Sequence, residues 1–284
     1  MVPQLGLGIA TSKPDYIQSK YSQYAVEFDG TADFIKILED DALKPTNALG
    51  VSLWMKPNAW NMTSGTDEDC IIGCIRTGGW KLSLKNTGAQ VTTLEVTLRV
   101  SDTGSGSAGY ITAVLKESQT ESLNNWVHIV FTYDINGTLY LYWNAETGGV
   151  TNGSAAEEAT IVYHSVASTP VAIGADMIDD NNAETFYDGM VDEVAIFNVL
   201  LDQNDVSGIF NSGVPYDISS NYGTYDKAAN LVWYGKMEAG SGTVINNSAT
   251  GAAAANGVEG GLGNSWSWVT DTPSDQNTWD SDPG

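Results

Sequence analysis

Basic residues are scarce in this chain of 284 residues, which has 12 lysines and arginines, 35 aspartates and glutamates, and a formal charge of −23. A surface with this acidic excess repels the phosphates of nucleic acids and the headgroups of anionic lipids. We therefore expect no nucleic acid and no membrane insertion. The acids are scattered along the chain, and such a distribution favours solubility.

Cysteine and histidine are also rare, with two residues of each kind. In an extended strand Cys70 and Cys74 would stand about 13 Å apart, beyond the reach of a disulfide bond. We interpret both as small buried hydrophobic residues. A zinc site would need ligands besides the two cysteines, and His128 and His164 are the only histidines in the chain.

Long apolar runs are missing, and no stretch reaches the length that crosses a bilayer. The first ten residues have no basic start and only a short apolar stretch broken by glycine. A secretory signal peptide has the opposite features, so we expect none.

Alternation of apolar and polar residues is the pattern that the sequence does contain, for example over residues 93–100 and 138–143. This period of two is typical of half-buried strands, and Gly, Asn, Asp and Ser mark turns between them. One short helix is predicted from Asp202 to Phe210, with Asp202 as its N-cap and Gly213 as the left-handed residue that follows it. The sequence predicts an all-β fold.

Four segments in order resemble laminin-G-like, concanavalin A-type jelly rolls: residues 24–35, 50–57, 125–144 and 189–213. The resemblance implies a two-sheet jelly-roll sandwich over residues 23–213, with Trp54, Trp126, Ile196 and Phe197 inside it. It also implies a binding or structural module. We take the chain as an N-terminal arm (1–22), this domain (23–213) and a C-terminal extension (214–284).

Catalysis is not expected, although folds of this type include glucanases. Those enzymes place alternate carboxylates on one strand in the string Glu-x-Asp-x-x-Glu, which this sequence lacks. No serine stands in a nucleophile elbow, and His128 is predicted to be a core or edge residue. Ser-His-Asp chemistry stays open from spacing alone, and we name no catalytic residue.

Calcium is the one ion that the sequence suggests, and no cofactor is required. Hard cations take six to eight oxygen ligands. Oxygen-bearing side chains cluster in one predicted loop, at Asp176, Asp179, Asp180 and Asn182. Asp29 and Asp33 form a second candidate site, although Asp29-Gly30 is equally typical of a turn.

Sugar binding would use exposed aromatic rings that stack on pyranose faces. Four residues in predicted rim positions are candidates for this contact: Trp60, Trp80, Tyr110 and Tyr187. The fold resemblance supplies most of the support for this prediction.

The terminal segments lack alternation but contain large apolar residues, which suggests that they pack against something. We predict that they mediate assembly through Leu5, Leu7, Ile9, Trp266, Trp268 and Trp279. One added strand is expected at about 230–238, either on this sandwich or on a neighbouring subunit, before a tail rich in Gly, Ala and Asp. A frayed terminus is the alternative for the arm. Deleting residues 1–22 and 240–284 would then leave the sandwich folded.

The apolar, glycine-containing start before a laminin-G-like module resembles structural proteins of marine phages. This resemblance implies a virion decoration or fibre-associated protein, assembled in the host cytoplasm, that contacts other virion proteins, itself as a homo-oligomer, or a host glycan. The alternative is a bacterial surface or secreted lectin. A glucanase-like enzyme is the least favoured of the three hypotheses.

Overall fold

The computed structural model describes residues 21–58, 67–86, 92–117, 123–150, 155–164, 170–179, 182–249, 255–260 and 266–275. It contains one α-helix, α1 (Gln203–Phe210), within these residues. The strands are β1 (Ala25–Asp29), β2 (Ile35–Ile37), β3 (Ala48–Pro57), β4 (Glu68–Gly73), β5 (Trp80–Asn86), β6 (Thr92–Val100), β7 (Gly109–Glu117), β8 (Val127–Asp134), β9 (Leu139–Trp143), β10 (Glu146–Val150), β11 (Val171–Ile173), β12 (Asp176–Met177), β13 (Ala183–Glu184), β14 (Asp188–Phe197), β15 (Leu231–Gly235), β16 (Val244–Ile245), β17 (Gly257–Glu259) and β18 (Ser267–Val269).

Two eight-stranded sheets form the sandwich, and all their strand pairs are antiparallel. The first sheet has the order β10-β9-β8-β3-β14-β1-β18, and β15 pairs with β14 beside the end of β1. The second has the order β16-β17-β2-β11-β4-β5-β6-β7, while β12 and β13 form a separate hairpin. The predicted all-β jelly-roll sandwich with one short helix after the core strands is confirmed.

The core between the sheets follows from the period of two. Alternate residues of β3 point into it, namely Leu49, Val51, Leu53 and Met55. They share one buried cluster with residues of the second sheet such as Leu82, Leu94 and Val96. Cys74 is buried in the same cluster, and Cys70 is buried nearby, so the prediction of two buried free thiols is confirmed.

The outer face of the first sheet is covered as well, by residues 198–230. Phe197 packs there with Val206 and Ile209 of α1. Trp54 and Trp126 form another buried cluster with Ala25. The predicted interior residues are therefore all buried, but only Ile196 lies between the sheets. The other three belong to the opposite face, because neighbouring residues of a strand point to opposite faces.

Helix α1 begins where the sequence predicts. The Asp202 carboxylate accepts from the backbone N–H of Asn204 and Asp205 at 2.8 and 3.0 Å, which satisfies amides of the first turn. The helix ends at Phe210, as the sequence predicts. Asn211 is the left-handed C-cap, with φ of 46°, and Gly213 follows with φ of 88°.

The C-terminal extension is part of the sandwich instead of an appendage with a single added strand. It supplies β15 and β18 to the first sheet and β16 and β17 to the second. Trp233 and Trp266 reach into the core between the sheets with 0% and 4% exposure. The described residues of the expected tail are thus part of the sandwich. Residues 1–20 of the expected arm lie outside the described residues.

Within the parts of the chain that the structure describes, no helix combines the length and the apolar character needed to cross a membrane.

Candidate functional site

A surface groove of about 240 Å³ lies among the residues that follow β15. Its lining is formed by Lys236, Met237, Glu238, Ala239, Ile245, Asn246, Ser248 and Trp268. One large aromatic ring therefore stands beside an ammonium, a carboxylate, an amide and a hydroxyl group. Such a surface can stack on an apolar ligand face and exchange hydrogen bonds with polar groups at the ligand's edge.

Positive backbone φ angles shape the turn between β15 and β16. Met237, Gly240 and Gly242 have φ of 53°, 65° and 83°. At Gly240 an added Cβ would stand 2.7 Å from the ring of Tyr24, so this position favours glycine by both conformation and space. The turn brings Glu238 and Asn246 to the same groove.

Trp268 reaches the groove from the far end of the chain because β18 pairs with β1, with Trp268 opposite Val26. Its indole Nε1–H donates to the carbonyl of Gly242 at 2.8 Å. The ring is half-buried against the core. These contacts fix the ring before any ligand arrives, which lowers the entropy lost on binding.

The charged groups of the groove are held by neighbours. Lys236 Nζ lies 2.6 Å from Asp217 Oδ2 and 5.5 Å from the centre of the Tyr234 ring. The Glu238 carboxylate accepts from the backbone N–H of Gln23 at 2.9 and 3.1 Å. Both side chains are therefore positioned by parts of the chain outside the groove.

Three carboxylates meet behind this groove. Asp192, Glu193 and Glu238 each place a carboxylate oxygen within 4.8 Å of the others, and they form the one such acid group found in the described residues. Burial, reinforced by Asp192, raises the pKa of Glu193 well above its usual value. This group is the arrangement in the described chain that could hold a metal ion.

Ser52 and His128 form a buried pair on neighbouring strands, with Ser52 Oγ 2.8 Å from His128 Nε2. Both are 1% exposed, and the imidazole packs against Trp54 and Phe210 at ring distances of 5.0 and 5.8 Å. Burial lowers the pKa of His128 to about 3, so the ring is neutral at physiological pH. The cavity beside the pair, lined by Ser52, Trp54 and His128 among others, has a volume of only about 10 Å³, roughly the space of one water molecule. His128 is a core residue.

The three described residues of the first predicted calcium site, Asp176, Asp179 and Asn182, have other partners. Asp179 Oδ1 and Oδ2 accept from the backbone and side-chain nitrogens of Asn182 at 2.9 and 2.7 Å, which closes the β12–β13 hairpin. Asp176 instead lies 3.1 Å from Lys81 Nζ. Asp180 lies outside the described residues. Calcium in this loop stays a prediction.

The two residues of the second predicted calcium site, Asp29 and Asp33, also have different surroundings. Asp29 accepts from the backbone N–H and hydroxyl of Thr31 at 2.8 and 2.7 Å, so its carboxylate closes the turn at Gly30. Asp33 is 6% exposed, and burial raises the pKa of its carboxyl. The turn explains the position of Asp29 without an ion, and calcium binding here also stays a prediction.

The buried carboxyl group of Asp69 in β4 should make the stability of the fold depend on pH. It is 8% exposed, and burial, reinforced by Asp188 and Asp67, raises the pKa of its carboxyl to about 6. The folded state thus holds the proton more tightly than the unfolded chain, and stability falls as pH rises from about 4 to about 6. Asp69→Asn should be more stable than the parent at pH 7.5 by roughly 2 kcal/mol, and this difference should vanish near pH 4.

Urea denaturation of the parent and of Asp69→Asn across this pH range measures the effect. Asp226→Asn is the control, because the Asp226 side chain is 69% exposed. Parallel pH profiles for the parent and Asp69→Asn would show that the carboxyl titrates alike in the folded and unfolded chains.

Two predicted glycan contacts are corrected by their burial. Trp80 and Tyr187 are 0% exposed and belong to the core between the sheets, so neither can stack on a sugar. Tyr110 is 48% exposed on β7 and lies under the guanidinium of Arg99 at 5.9 Å. Trp60 lies outside the described residues. The structure does not place Trp80, Tyr110 and Tyr187 on one exposed surface.

Two predicted assembly residues have partners within their own chain. Trp266 is buried in the core, and Trp268 belongs to the groove. Trp266 is thus buried without a second subunit, and the prediction that it mediates assembly is wrong. Trp268 is half-buried, and its role in assembly stays a prediction. Leu5, Leu7, Ile9 and Trp279 lie outside the described residues.

The groove cannot be predicted from the sequence, because its residues come from two separated segments. Residues 236–248 show little alternation, and only the pairing of β18 with β1 brings Trp268 beside them. The one available signal is a tryptophan in a polar, glycine-rich segment, which we interpreted as an assembly contact.

Comparison with known proteins gives structural relatives at low sequence identity. A candidate carbohydrate-binding protein from Bacteroides ovatus has a TM-score of 0.58 and 17% identity over 88% of this chain and 60% of that chain. A heptameric SAP-like pentraxin from Limulus polyphemus has a TM-score of 0.44 and 14% identity over 66% of this chain and 82% of that chain. Domains LG4-5 of the mouse laminin α1 chain have a TM-score of 0.41 and 12% identity over 64% of this chain and 44% of that chain.

The chain thus spans about 60% of the length of the Bacteroides ovatus protein, and at 17% identity this likeness shows the fold alone. A search of the curated proteins finds no match. The laminin-G-type family described as the concanavalin A-like lectin/glucanases superfamily matches residues 29–207. This match covers more than half of the chain, and the protein therefore belongs to that family.

Proposed function

We propose that this protein is a non-enzymatic binding module that holds a glycan in the groove lined by Lys236, Glu238, Asn246 and Trp268. The observation that carries the proposal is the fixed Trp268 ring beside carboxylate, amide and hydroxyl groups. A pyranose ring has an apolar face for the indole and hydroxyls for the polar side chains. The Bacteroides ovatus relative, described as a candidate carbohydrate-binding protein, supports the same function.

The volume of the groove and the net charge of the protein limit the kinds of glycan that can bind. Its volume of about 240 Å³ is below that of sites for drug-sized molecules, roughly 300–1,000 Å³, and suits a single sugar residue at a chain end or branch. The net charge of −23 disfavours sulfated glycans and uronic acids, because like charges repel. We therefore propose a neutral or amino sugar.

Binding of the full chain to a glycan array tests this function. Trp268→Ala should weaken binding to the best glycan by at least about ten-fold, equivalent to about 1.4 kcal/mol, because the stacking surface is lost. Asn246→Ala should weaken it as well without a cost in folding, since Asn246 is exposed. Tyr110→Ala is the matched control, because it removes an exposed aromatic ring outside the groove. Equal binding by Trp268→Ala and the parent, with both folded by circular dichroism, would reject the groove.

Absence of glycosidase activity is a separate expectation. The glucanase carboxylate string is missing from the sequence, and the Ser52–His128 pair is buried. Incubation with laminarin or lichenan should therefore release no reducing ends. Release that disappears on substitution of a single aspartate or glutamate would show instead that the protein is a hydrolase.

The second candidate function is that of a structural protein attached to a virion. It states where the protein acts and is compatible with glycan binding. It is supported by the apolar residues Leu5, Leu7 and Ile9 and by exposed Val214 and Tyr222, which are 52% and 64% exposed and could contact another subunit. Mass spectrometry of purified virions and light scattering of the isolated protein test this role. A monomer that no virion preparation contains would favour a bacterial surface or secreted lectin.

A further inference from the structure

A lysine and an aspartate from distant parts of the chain are in contact beside β4, largely shielded from water. Lys81 of β5 places its Nζ 3.1 Å from Oδ2 of Asp176, the first residue of β12. The two side chains are 13% and 10% exposed, and no other ion pair of the described residues is as deeply buried on both sides. The backbone N–H of Cys70 donates to the carbonyl of Thr185 at 2.8 Å, which attaches the β12–β13 hairpin to β4. The fold therefore holds the amine and the carboxyl together.

The surroundings of Asp176 do little to stabilise its charged form. Its Oδ1 is buried and has no hydrogen-bond partner among the described residues, while Oδ2 accepts from Lys81. Burial raises the pKa of this carboxyl to about 6. Because burial disfavours charge on both partners, transfer of one proton from the ammonium to the carboxylate costs less here than in water. That transfer produces a neutral amine, which is a nucleophile, beside a neutral carboxylic acid.

Glu68 of β4 is placed to move protons for this pair. Its Oε1 lies 3.0 Å from Lys81 Nζ and accepts from the Ser83 hydroxyl at 2.5 Å. Burial acts against its charge, but the hydrogen bond from Ser83 and the ammonium of Lys81 lower the pKa of the Glu68 carboxyl overall. A carboxylate that stays ionised within hydrogen-bond reach of an amine can act as a general base.

Other contacts between lysines and carboxylates lack this combination. Asp271, beside Lys56, is 42% exposed and also accepts from Trp126 Nε1–H, so water and a second donor keep it ionised. Lys85, beside Glu95, is 27% exposed. The environment that favours reaction over a lasting ion pair therefore distinguishes the contact of Lys81 with Asp176.

We propose that Lys81 and Asp176 condense into an intramolecular isopeptide bond, with Glu68 as the proton carrier. One proton passes from Nζ to the Asp176 carboxylate, and the neutral Nζ attacks Cγ. Nζ then gives a second proton to Glu68, which passes it to the hydroxyl group on Cγ. The bond from Cγ to this oxygen breaks, and one water molecule leaves. An ammonium and a carboxylate thus become an amide and water, with no oxidant, cofactor or other reactant.

Fixed proximity supplies the driving force, because an intramolecular amine has a far higher effective concentration than a free one. The bond joins β5 to the β12–β13 hairpin and closes a covalent loop over residues 81–176. A loop of this kind restricts the unfolded chain in the way that a disulfide bond does. We therefore expect the linked protein to resist denaturation better than its unlinked variants.

Intact-mass spectrometry of the purified full chain tests the proposal. After incubation at neutral pH the parent should weigh one water molecule less than its sequence, and the tryptic peptides that contain Lys81 and Asp176 should be joined. Lys81→Arg and Asp176→Ala should have their full sequence masses. Glu68→Gln should form the bond at least about ten-fold more slowly, because the general base is lost. Lys56→Arg, at a different ion pair, is the control and should lose water like the parent.

A parent that keeps its full sequence mass, with circular dichroism showing that it is folded, would overturn the proposal. A loss of water that persists in Lys81→Arg would also overturn it, because cyclisation at an Asp-Gly sequence such as Asp29-Gly30 releases the same mass. A parent-like rate in Glu68→Gln would contradict the role of Glu68. Neither Lys81 nor Asp176 lines the groove, so glycan binding by Lys81→Arg separates a failure of this bond from a failure of the proposed function.

Discussion

A chain truncated after Asn230 should fail to fold cooperatively. The truncation removes four strands, two from each sheet. It leaves one side of β2, the outer edge of β1 and one side of β14 from Val194 to Phe197 without a partner. It also removes Trp233 and Trp266 from the core, and loss of a buried tryptophan costs about 3–5 kcal/mol each. Two such losses already approach the total stability of a typical domain, about 5–15 kcal/mol.

Circular dichroism and thermal melting measure this outcome, with a chain that ends at Asp275 as the control because it keeps every described strand. We expect a sigmoidal transition for the control and none for the short chain. A short chain that is monomeric and melts like the parent would mean that residues 23–213 fold alone and that the extension is an appendage.

Trp126→Ala should lower the free energy of unfolding by about 3–5 kcal/mol. Trp126 is 2% exposed and packs with Trp54 and Ala25, so the substitution leaves a cavity on the outer face of the first sheet. Its Nε1–H also donates to Asp271 Oδ1 at 2.9 Å, and Asp271 Oδ2 lies 2.5 Å from Lys56 Nζ. The substitution therefore also weakens the attachment of the C-terminal segment.

Chemical denaturation of Trp126→Ala and Trp126→Phe separates these two effects. Phe retains much of the packing but lacks the donor, so it should cost less, on the order of 1–3 kcal/mol for a hydrogen bond to a charged group. Equal midpoints for the parent and Trp126→Ala would contradict the burial of this ring.

The sequence predicts the sandwich well because its central strands are long and regular. β3 and β8 are 10 and 8 residues long and rich in apolar residues, and the alternating segments at 93–100 and 138–143 fall in β6 and β9. Asp202 carries a local capping signal for α1. These features depend on neighbours in sequence. Alternation cannot say what covers the second face of a sheet, so the sequence predicts the burial of Trp54 and Phe197 but not the layer in which they lie.

The site is harder to predict because long-range pairing creates it. Short strands such as β16 and β18, with two and three residues, show no period, and their glycine-rich surroundings are typical of a tail. Asp192 and Glu193 are adjacent in sequence and would be assigned to opposite faces. Only the bulge, where β14 changes its partner from β1 to β15, brings both to Glu238.

A crystal structure of the full chain with the best glycan from the array tests the central claim most directly. We predict that a sugar ring stacks on Trp268, with its hydroxyls in hydrogen-bond contact with Glu238 or Asn246. A glycan bound elsewhere, for example beside Tyr110 or at the β12–β13 hairpin, with the groove free of ligand, would contradict the assignment of the groove as the binding site.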